Sequence, residues 1–479
     1  MKRTALYFGL LAVTACGGTT SPPNPPMEEP KAAPSAAGVK PDVAPNEPAW
    51  VSPYAAVSQA GADPETDKKL RAAISAGQRS RGDQERDVWR HPLETLEFFG
   101  LKDDMQVLEL WPGTGWYTQI LAPVLAEKGA FHVTNLDPAG PQDVTPNRIA
   151  KQFDDLLKSA PDRFGKVQVH QVAPPEKLEL GPDGSMDLVL SFRNTHNWVK
   201  ADYALAVYDA AYRVLKPGGT LGVVQHRGAP GKTPEQTGYV GYLAPDYVKR
   251  LIGAAGFELS AESELNANPK DTKDYPEGVW TLPPVLRLGE KDAAKYQAIG
   301  ESDRMTLRFT KPALIAPKLK GDDGKPLPQL PQAEGDPSFE SPLFKQHLRL
   351  LTRAIVLDDP EIARSVFFPV EAYQQVKDIP KPERDWEYRL WKNFKRDVHD
   401  YHKRLGDNPR YATLVRLDTS GRSKSWMQPG SEGNKIGYFR MTHPKLVFQR
   451  ADGKELRVDL TSLISWRGEW YVVHLNGFK

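Results

Sequence analysis

The chain is organised around Val107-Leu108-Glu109-Leu110-Trp111-Pro112-Gly113-Thr114-Gly115-Trp116-Tyr117. A short apolar run ends in a carboxylate and breaks into Pro-Gly-Thr-Gly. An amphipathic pattern follows, with Tyr117, Ile120, Leu121, Val124 and Leu125 at helical spacing. The stretch predicts strand, glycine turn and helix, the opening of a nucleotide-binding α/β unit. Gly113 and Gly115 lack a Cβ, so the backbone can approach a ligand closely. The helix start directs free N–H groups to the same place. Glu109, at the strand end, can accept hydrogen bonds from a ribose or an ammonium group. Gly-x-Gly turns occur in many loops, so the flanking pattern carries the assignment.

Downstream the elements alternate. Residues 130–136 predict a strand ending at Asp137, and residues 147–160 a helix with Ile149, Phe153, Leu156 and Leu157 on one face. Residues 166–172 and 186–192 predict strands. Residues 201–215 form a strongly amphipathic helix. Lys216-Pro217-Gly218-Gly219 ends it and turns the chain. A strand at 220–225, a helix at 244–255 and strands at 257–265 and 305–309 complete the series. This alternation predicts an α/β fold, a Rossmann-like, doubly wound, mostly parallel sheet with helices on both faces. Ligands bind such sheets at the carboxyl ends of the strands. Those ends carry Glu109, Asp137, the segment from Phe192 to Trp198, and His226. Residues 266–300 are a long insertion that reads as a lid or as an ordered surface loop.

The N-terminus has a different character. Lys2 and Arg3 precede an apolar run at 4–14 that closes with Val13-Thr14-Ala15-Cys16. The run is too short to span a bilayer and has the shape of a secretory signal. Small residues before a cysteine resemble a bacterial lipobox, in which Cys16 is diacylated. Cys16 is the sole cysteine of the 479 residues, so no disulfide forms within the chain. A cleaved signal with a bystander cysteine and a cytoplasmic chain with an apolar start are the competing readings. Gly17, where an Asp is absent, resembles lipoproteins sent to the outer membrane. The expectation is a signal at 1–16, a Pro/Ala-rich disordered tether at 17–50 and lipid anchoring on the periplasmic side of the bacterial envelope. A net charge of +2 gives no reason to expect nucleic acid.

About 430 residues remain, enough for two or three domains. The first spans 51–312, a Pro/Gly-rich linker spans 313–338, and a second region spans 339–479. In the second region helical patterns at 343–357, 361–367 and 386–405 precede strand patterns at 411–417, 436–442, 445–450, 456–466 and 470–475. Asp452-Gly453 and Arg467-Gly468 suit hairpin turns. A separate α+β domain with a curved antiparallel sheet is expected, loosely resembling cone-shaped NTF2-like domains. It can bind an envelope ligand or dock a protein partner. His399 and His402 lie one helical turn apart beside Asp397 and Asp400. They read as a solvated charged face sooner than as a metal set, and no metal site is predicted.

Glu109-x-x-Pro112-Gly113-x-Gly115, a strand with a terminal acid, Met186-Asp187-Leu188-Val189-Leu190 and Arg213-Val214-Leu215-Lys216-Pro217-Gly218-Gly219 together resemble a class I methyltransferase using S-adenosylmethionine. Arg90-His91-Pro92, Phe98-Phe99-Gly100, Pro112 to Tyr117 and Asp303-Arg304 resemble a bacterial group of predicted methyltransferases, often exported. The resemblance implies that Glu109, Gly113 and Gly115 hold the methionine part of the cofactor. It implies that Asp137, or Asn135 beside it, binds the ribose hydroxyls. Phe192, Asn194 and His196 would sit where cofactor and acceptor meet. Two departures stand out: Trp111 replaces the first glycine, and Ala173-Pro174-Pro175 replaces the residue that reads adenine.

Methyl transfer is an in-line displacement, assisted mainly by positioning and by a base near neutral pKa. His196 and His226 are the candidate bases and Asn194 a catalytic neighbour; each histidine also reads as a hydrogen-bonded structural residue. Arg86, Asp87 and Arg90 read as a surface ion-pair face. Trp116, Tyr117 and Trp198 can stack on a flat or cationic ligand or pack the core. The expected partners are a small-molecule or envelope substrate and the membrane through Cys16.

Overall fold

The computed structural model describes residues 63–313, 315, 336–450 and 453–476. The signal, Cys16, the tether and most of the linker lie outside the described residues. The first region builds a seven-stranded sheet: β1 Gln106–Leu110, β2 Ala130–Asn135, β3 Gln168–Gln171, β4 Met186–Phe192, β5 Leu215–His226, β6 Glu258–Ser263 and β7 Arg304–Thr310. The order is β3-β2-β1-β4-β5-β7-β6. β1 to β5 pair in parallel, while β7 runs antiparallel to β5 and β6. β1 and β4 are nearly wholly buried, as central strands covered on both faces must be. The chain winds outward from β1 to β3, then returns to β4 beside β1. That reversal opens a crevice at the carboxyl ends of β1 and β4.

β5 begins earlier than the sequence suggests. Lys216-Pro217-Gly218-Gly219 does not turn away from the sheet. Gly218 N donates to Lys311 O (2.8 Å) and Lys311 N donates to Gly219 O (2.9 Å), so the end of β7 extends the ladder. Four helices at Pro64–Ile74, Arg81–Gln84, Asp87–Arg90 and Pro92–Phe98 precede β1 and were not foreseen. They bring Leu70, Leu93, Leu96 and Phe99 onto one face of the sheet, in a cluster with Ile120, Leu121 and Phe153.

The second region sets helices Pro342–Leu357, Val370–Val376 and Lys392–Arg404 against two antiparallel sheets. The strands are β8 Thr413–Asp418, β9 Lys424–Met427, β10 Tyr438–Thr442, β11 Lys445–Gln449, β12 Glu455–Asp459, β13 Ser462–Trp466 and β14 Glu469–His474. One sheet is β14-β13-β10-β9 and the other β12-β11-β8, in place of a single curved sheet. Two further expectations change for a stated reason. Residues 361–367 are not a full helix, because Val366 O accepts from Val472 N (3.1 Å) and Phe368 N donates to Val472 O (2.9 Å). Residues 456–466 are two strands, because Leu460 N and Thr461 N donate to Pro444 O (2.8 Å) and Leu475 O (3.1 Å). The two regions share one apolar cluster that includes Leu251, Ile252, Phe257, Leu351 and Ala354. Arg353 pairs with Asp209 and stacks on Tyr212, and Tyr411 Oη donates to Asp202 at 2.6 Å.

Candidate functional site

At the end of β1 the chain reverses through three left-handed residues, Trp111 (φ 47°), Gly113 (φ 62°) and Gly115 (φ 87°). Trp111 adopts the backbone that a glycine would adopt freely, at a strain of roughly 1–3 kcal/mol. Trp111 N donates to Thr134 Oγ1 (2.8 Å), and its ring packs edge-on against Trp198, 5.1 Å between centroids. A Cβ on Gly113 would meet nothing within 4 Å, whereas a Cβ on Gly115 would lie 2.3 Å from Leu156 Cδ2. Gly113 therefore faces open space, and Gly115 lets the helix Thr145–Ser159 come close.

The crevice encloses a cavity of about 360 Å³. Its lining includes Glu109, Trp111, Gly113, Phe192, Arg193, Asn194, His196 and His226. Glu109 is 2 % exposed and accepts a 2.7 Å hydrogen bond from Thr118 Oγ1. Burial pushes its carboxyl up to about 8, opposed by the Thr118 hydrogen bond. Phe192 stacks on Tyr117 at 3.5 Å. Asn194 Nδ2 donates to Leu110 O (3.1 Å), Trp111 O (3.0 Å) and Phe192 O (3.2 Å). Its amide nitrogen thus ties the end of β1 to the end of β4.

His196 and His226 lie 5.3 Å apart between ring centroids. His196 Nδ1 faces Gln225 at 3.3–3.4 Å, and His226 Nδ1 meets Ser302 Oγ at 2.6 Å. Burial holds His196 down at about 4, and burial plus neighbouring His196 and arginines holds His226 well below its ordinary value. Burial thus favours the neutral form of both rings and makes each a weaker proton acceptor than a free imidazole. The insertion supplies one wall through Val279, Trp280 and Pro283 to Val285; Trp280 lies 5.9 Å from His196.

A charged cluster that the sequence did not disclose closes the other side. Glu301, 2 % exposed, accepts from Arg86 Nε (2.9 Å), Arg90 Nε (3.1 Å) and Arg304 Nη1 (2.9 Å). Burial opposes its ionisation, but Arg304, Arg193 and Arg86 outweigh burial and hold it below the usual carboxylate range. Arg86 and Arg90 are thus largely inside the fold. Arg90 is 1 % exposed, stacks on Trp116 at 4.6 Å, and its Nη2 has no hydrogen-bond partner. Arg193 sits at φ 62° directly after β4. Among the described residues its guanidinium forms no hydrogen bond or ion pair. Arg193 and Glu301 flank predicted strand ends, the one signal that could have found them.

Asp137 is exposed, outside the cavity lining, and its carboxylate accepts from Ala139 N (2.9 Å). Asn135 Nδ2 donates to Ala150 O (3.0 Å). Trp116 and Tyr117 are buried in the cavity lining, and Trp198 is buried outside it. His399 bonds Asp358 and His402 bonds Ile355 O, and among the described residues no group of three or more metal-ligating side chains occurs.

Residues 108–223 match the family model described as a methyltransferase domain. No curated protein matches the chain. Among solved structures, a SAM-dependent methyltransferase from Aquifex aeolicus is 18 % identical with a TM-score of 0.31, over 48 % of this chain and 94 % of that one. The cyclase SpnF is 16 % identical with a TM-score of 0.34, over 52 % and 93 %. A SAM-dependent methyltransferase from Mesorhizobium loti is 14 % identical with a TM-score of 0.29, over 48 % and 100 %.

Proposed function

We propose that this chain, whose residues 63–313 have the class I methyltransferase fold, transfers a methyl group from S-adenosylmethionine to a small molecule or envelope component. The observation that carries the reading is a pair of buried groups of opposite kind on one cavity. Glu109 offers a carboxyl with one hydrogen bond and no ion pair among the described residues, and Arg90 offers an unpartnered Nη2. Together they suit the ammonium and carboxylate of an amino acid, such as the methionine end of that cofactor. Gly113 leaves the space beside them open.

When bound, the cofactor supplies an electrophilic methyl on a sulfonium. The chain's residues do the rest. Glu109 gives up its proton to accept from the ammonium, and Arg90 or Arg193 holds the carboxylate. His226, held by Ser302 at Nδ1, presents Nε2 as a hydrogen-bond acceptor that orients the methyl acceptor; His196 is the neighbouring imidazole. Trp280 and the prolines of the insertion exclude water. Incubating the full chain with methyl-labelled cofactor and an envelope fraction tests this: label transfer lost in His226→Ala supports it, and no transfer at saturating cofactor sinks it.

A second reading, a catalytically inactive ligand-binding or scaffold module, is favoured by the side chain at Trp111 and by Asp137 standing outside the cavity. The anchor belongs to either reading. Lys2, Arg3, the apolar run and the sole cysteine support a lipoprotein held by Cys16 on the periplasmic side of the outer membrane, with 17–50 as tether. A charged cofactor crosses bilayers poorly, so an active exported enzyme needs its own supply. Palmitate labelling of the full chain that persists in Cys16→Ser would exclude the anchor.

A further inference from the structure

The second region holds a cavity of about 620 Å³, far from the crevice in sequence and built from other elements. That size falls in the small-molecule class, roughly 300–1,000 Å³. Its floor is apolar: Phe368, Leu390, Ile464 and Val473 are all buried. Its polar end is cationic. Lys377 Nζ donates to the backbone oxygen of Glu432 at 2.8 Å and forms no ion pair among the described residues. Arg440 pairs with the Glu432 carboxylate, yet its Nε is buried without a partner. The Glu432 carboxylate also accepts from Tyr438 Oη at 2.7 Å. Arg389 is already committed to Asp385. One carboxylate therefore answers two cations beside an apolar chamber, an imbalance that is unfavourable when partly buried. His474, on the same wall, feels it: burial, then Arg389 and Lys377, hold its imidazole down at about 4.

We propose that this cavity binds an amphiphilic anion, with its acidic head at Lys377 and Arg440 and its apolar body against Phe368, Leu390 and Val473. A bare phosphate would leave the apolar floor unfilled, and a neutral apolar molecule would leave the cations unanswered. A cationic amphiphile is repelled by the same charges. The inference is independent of methyl transfer.

Calorimetric titration of the full chain with decanoate, decanol and decyltrimethylammonium, below micelle-forming concentrations, tests it. Decanoate is expected to bind saturably at one site, decanol at least tenfold more weakly, and the cation not at all. Loss of a charge-assisted hydrogen bond weakens binding roughly ten- to a hundredfold, so Lys377→Met should lose that factor for decanoate and leave decanol unchanged. Lys377→Arg should retain decanoate binding, and circular dichroism should show both variants folded. Equal decanoate binding by wild type and folded Lys377→Met, equal binding of the cation, or no saturable binding of decanoate overturns the proposal.

Discussion

The Thr118 hydroxyl donates a 2.7 Å hydrogen bond to the Glu109 carboxyl, across the turn between β1 and the following helix. No cation accompanies the pair among the described residues, so burial governs and Glu109 titrates near 8 in place of its ordinary 4.5. Between those values the folded chain keeps a proton that the unfolded chain has lost. Stability therefore falls as pH rises from 4.5 through 8. Glu109→Gln removes this dependence and should raise stability at pH 8 by roughly 2–5 kcal/mol. Urea unfolding of both proteins across pH 5–9 checks it.

Binding of an ammonium group needs Glu109 ionised. Affinity for S-adenosylhomocysteine should rise about tenfold per pH unit up to the Glu109 value and then level. Near pH 7 binding should release close to one proton, measured by calorimetry in buffers of different ionisation enthalpy. Glu109→Gln should lose this pH-dependent binding and its proton release.

Asn194 joins the ends of β1 and β4 through three carbonyl oxygens. Asn194→Ala should cost about 1–3 kcal/mol by leaving buried acceptors unmade. Asn194→Asp should cost more, because a carboxylate faces the same carbonyls. Thermal unfolding ranks the two.

Gly115 carries a positive φ and would drive a Cβ into Leu156. Gly115→Ala should destabilise by roughly 1–3 kcal/mol. Adding Leu156→Ala should relieve the clash but not the backbone strain, a partial recovery visible in a double-mutant cycle.

Glu301 serves Arg86, Arg90 and Arg304 at once. Glu301→Gln should cost roughly 3–5 kcal/mol, since three guanidiniums lose their carboxylate inside the fold. Glu85→Gln, which breaks the exposed pair with Arg81, should cost under about 1 kcal/mol. Denaturant midpoints compare them.

The central sheet was legible because β1 and β4 are mostly apolar runs, and because Pro112 to Gly115 interrupts the first of them sharply. Glu109, Gly113, Phe192, Asn194, His196 and His226 do line one cavity. Their roles were less legible, since a role depends on partners distant in sequence. Asn194 is committed to carbonyls of β1, and Asn135 to the helix Thr145–Ser159. Arg86 and Arg90 looked like a surface face because the buried carboxylate that pairs them is Glu301, across the fold. Leu215 to Gly219 extends into β5 only because Lys311 completes the ladder.

The most direct test is calorimetric titration of the full chain with S-adenosylhomocysteine at pH 8, beside Glu109→Gln and Gly113→Trp. Methyl transfer at this cavity predicts saturable one-site binding by the wild type, lost in both variants while each remains folded. No binding by the folded wild type at millimolar ligand, or undiminished binding by both variants, would contradict it.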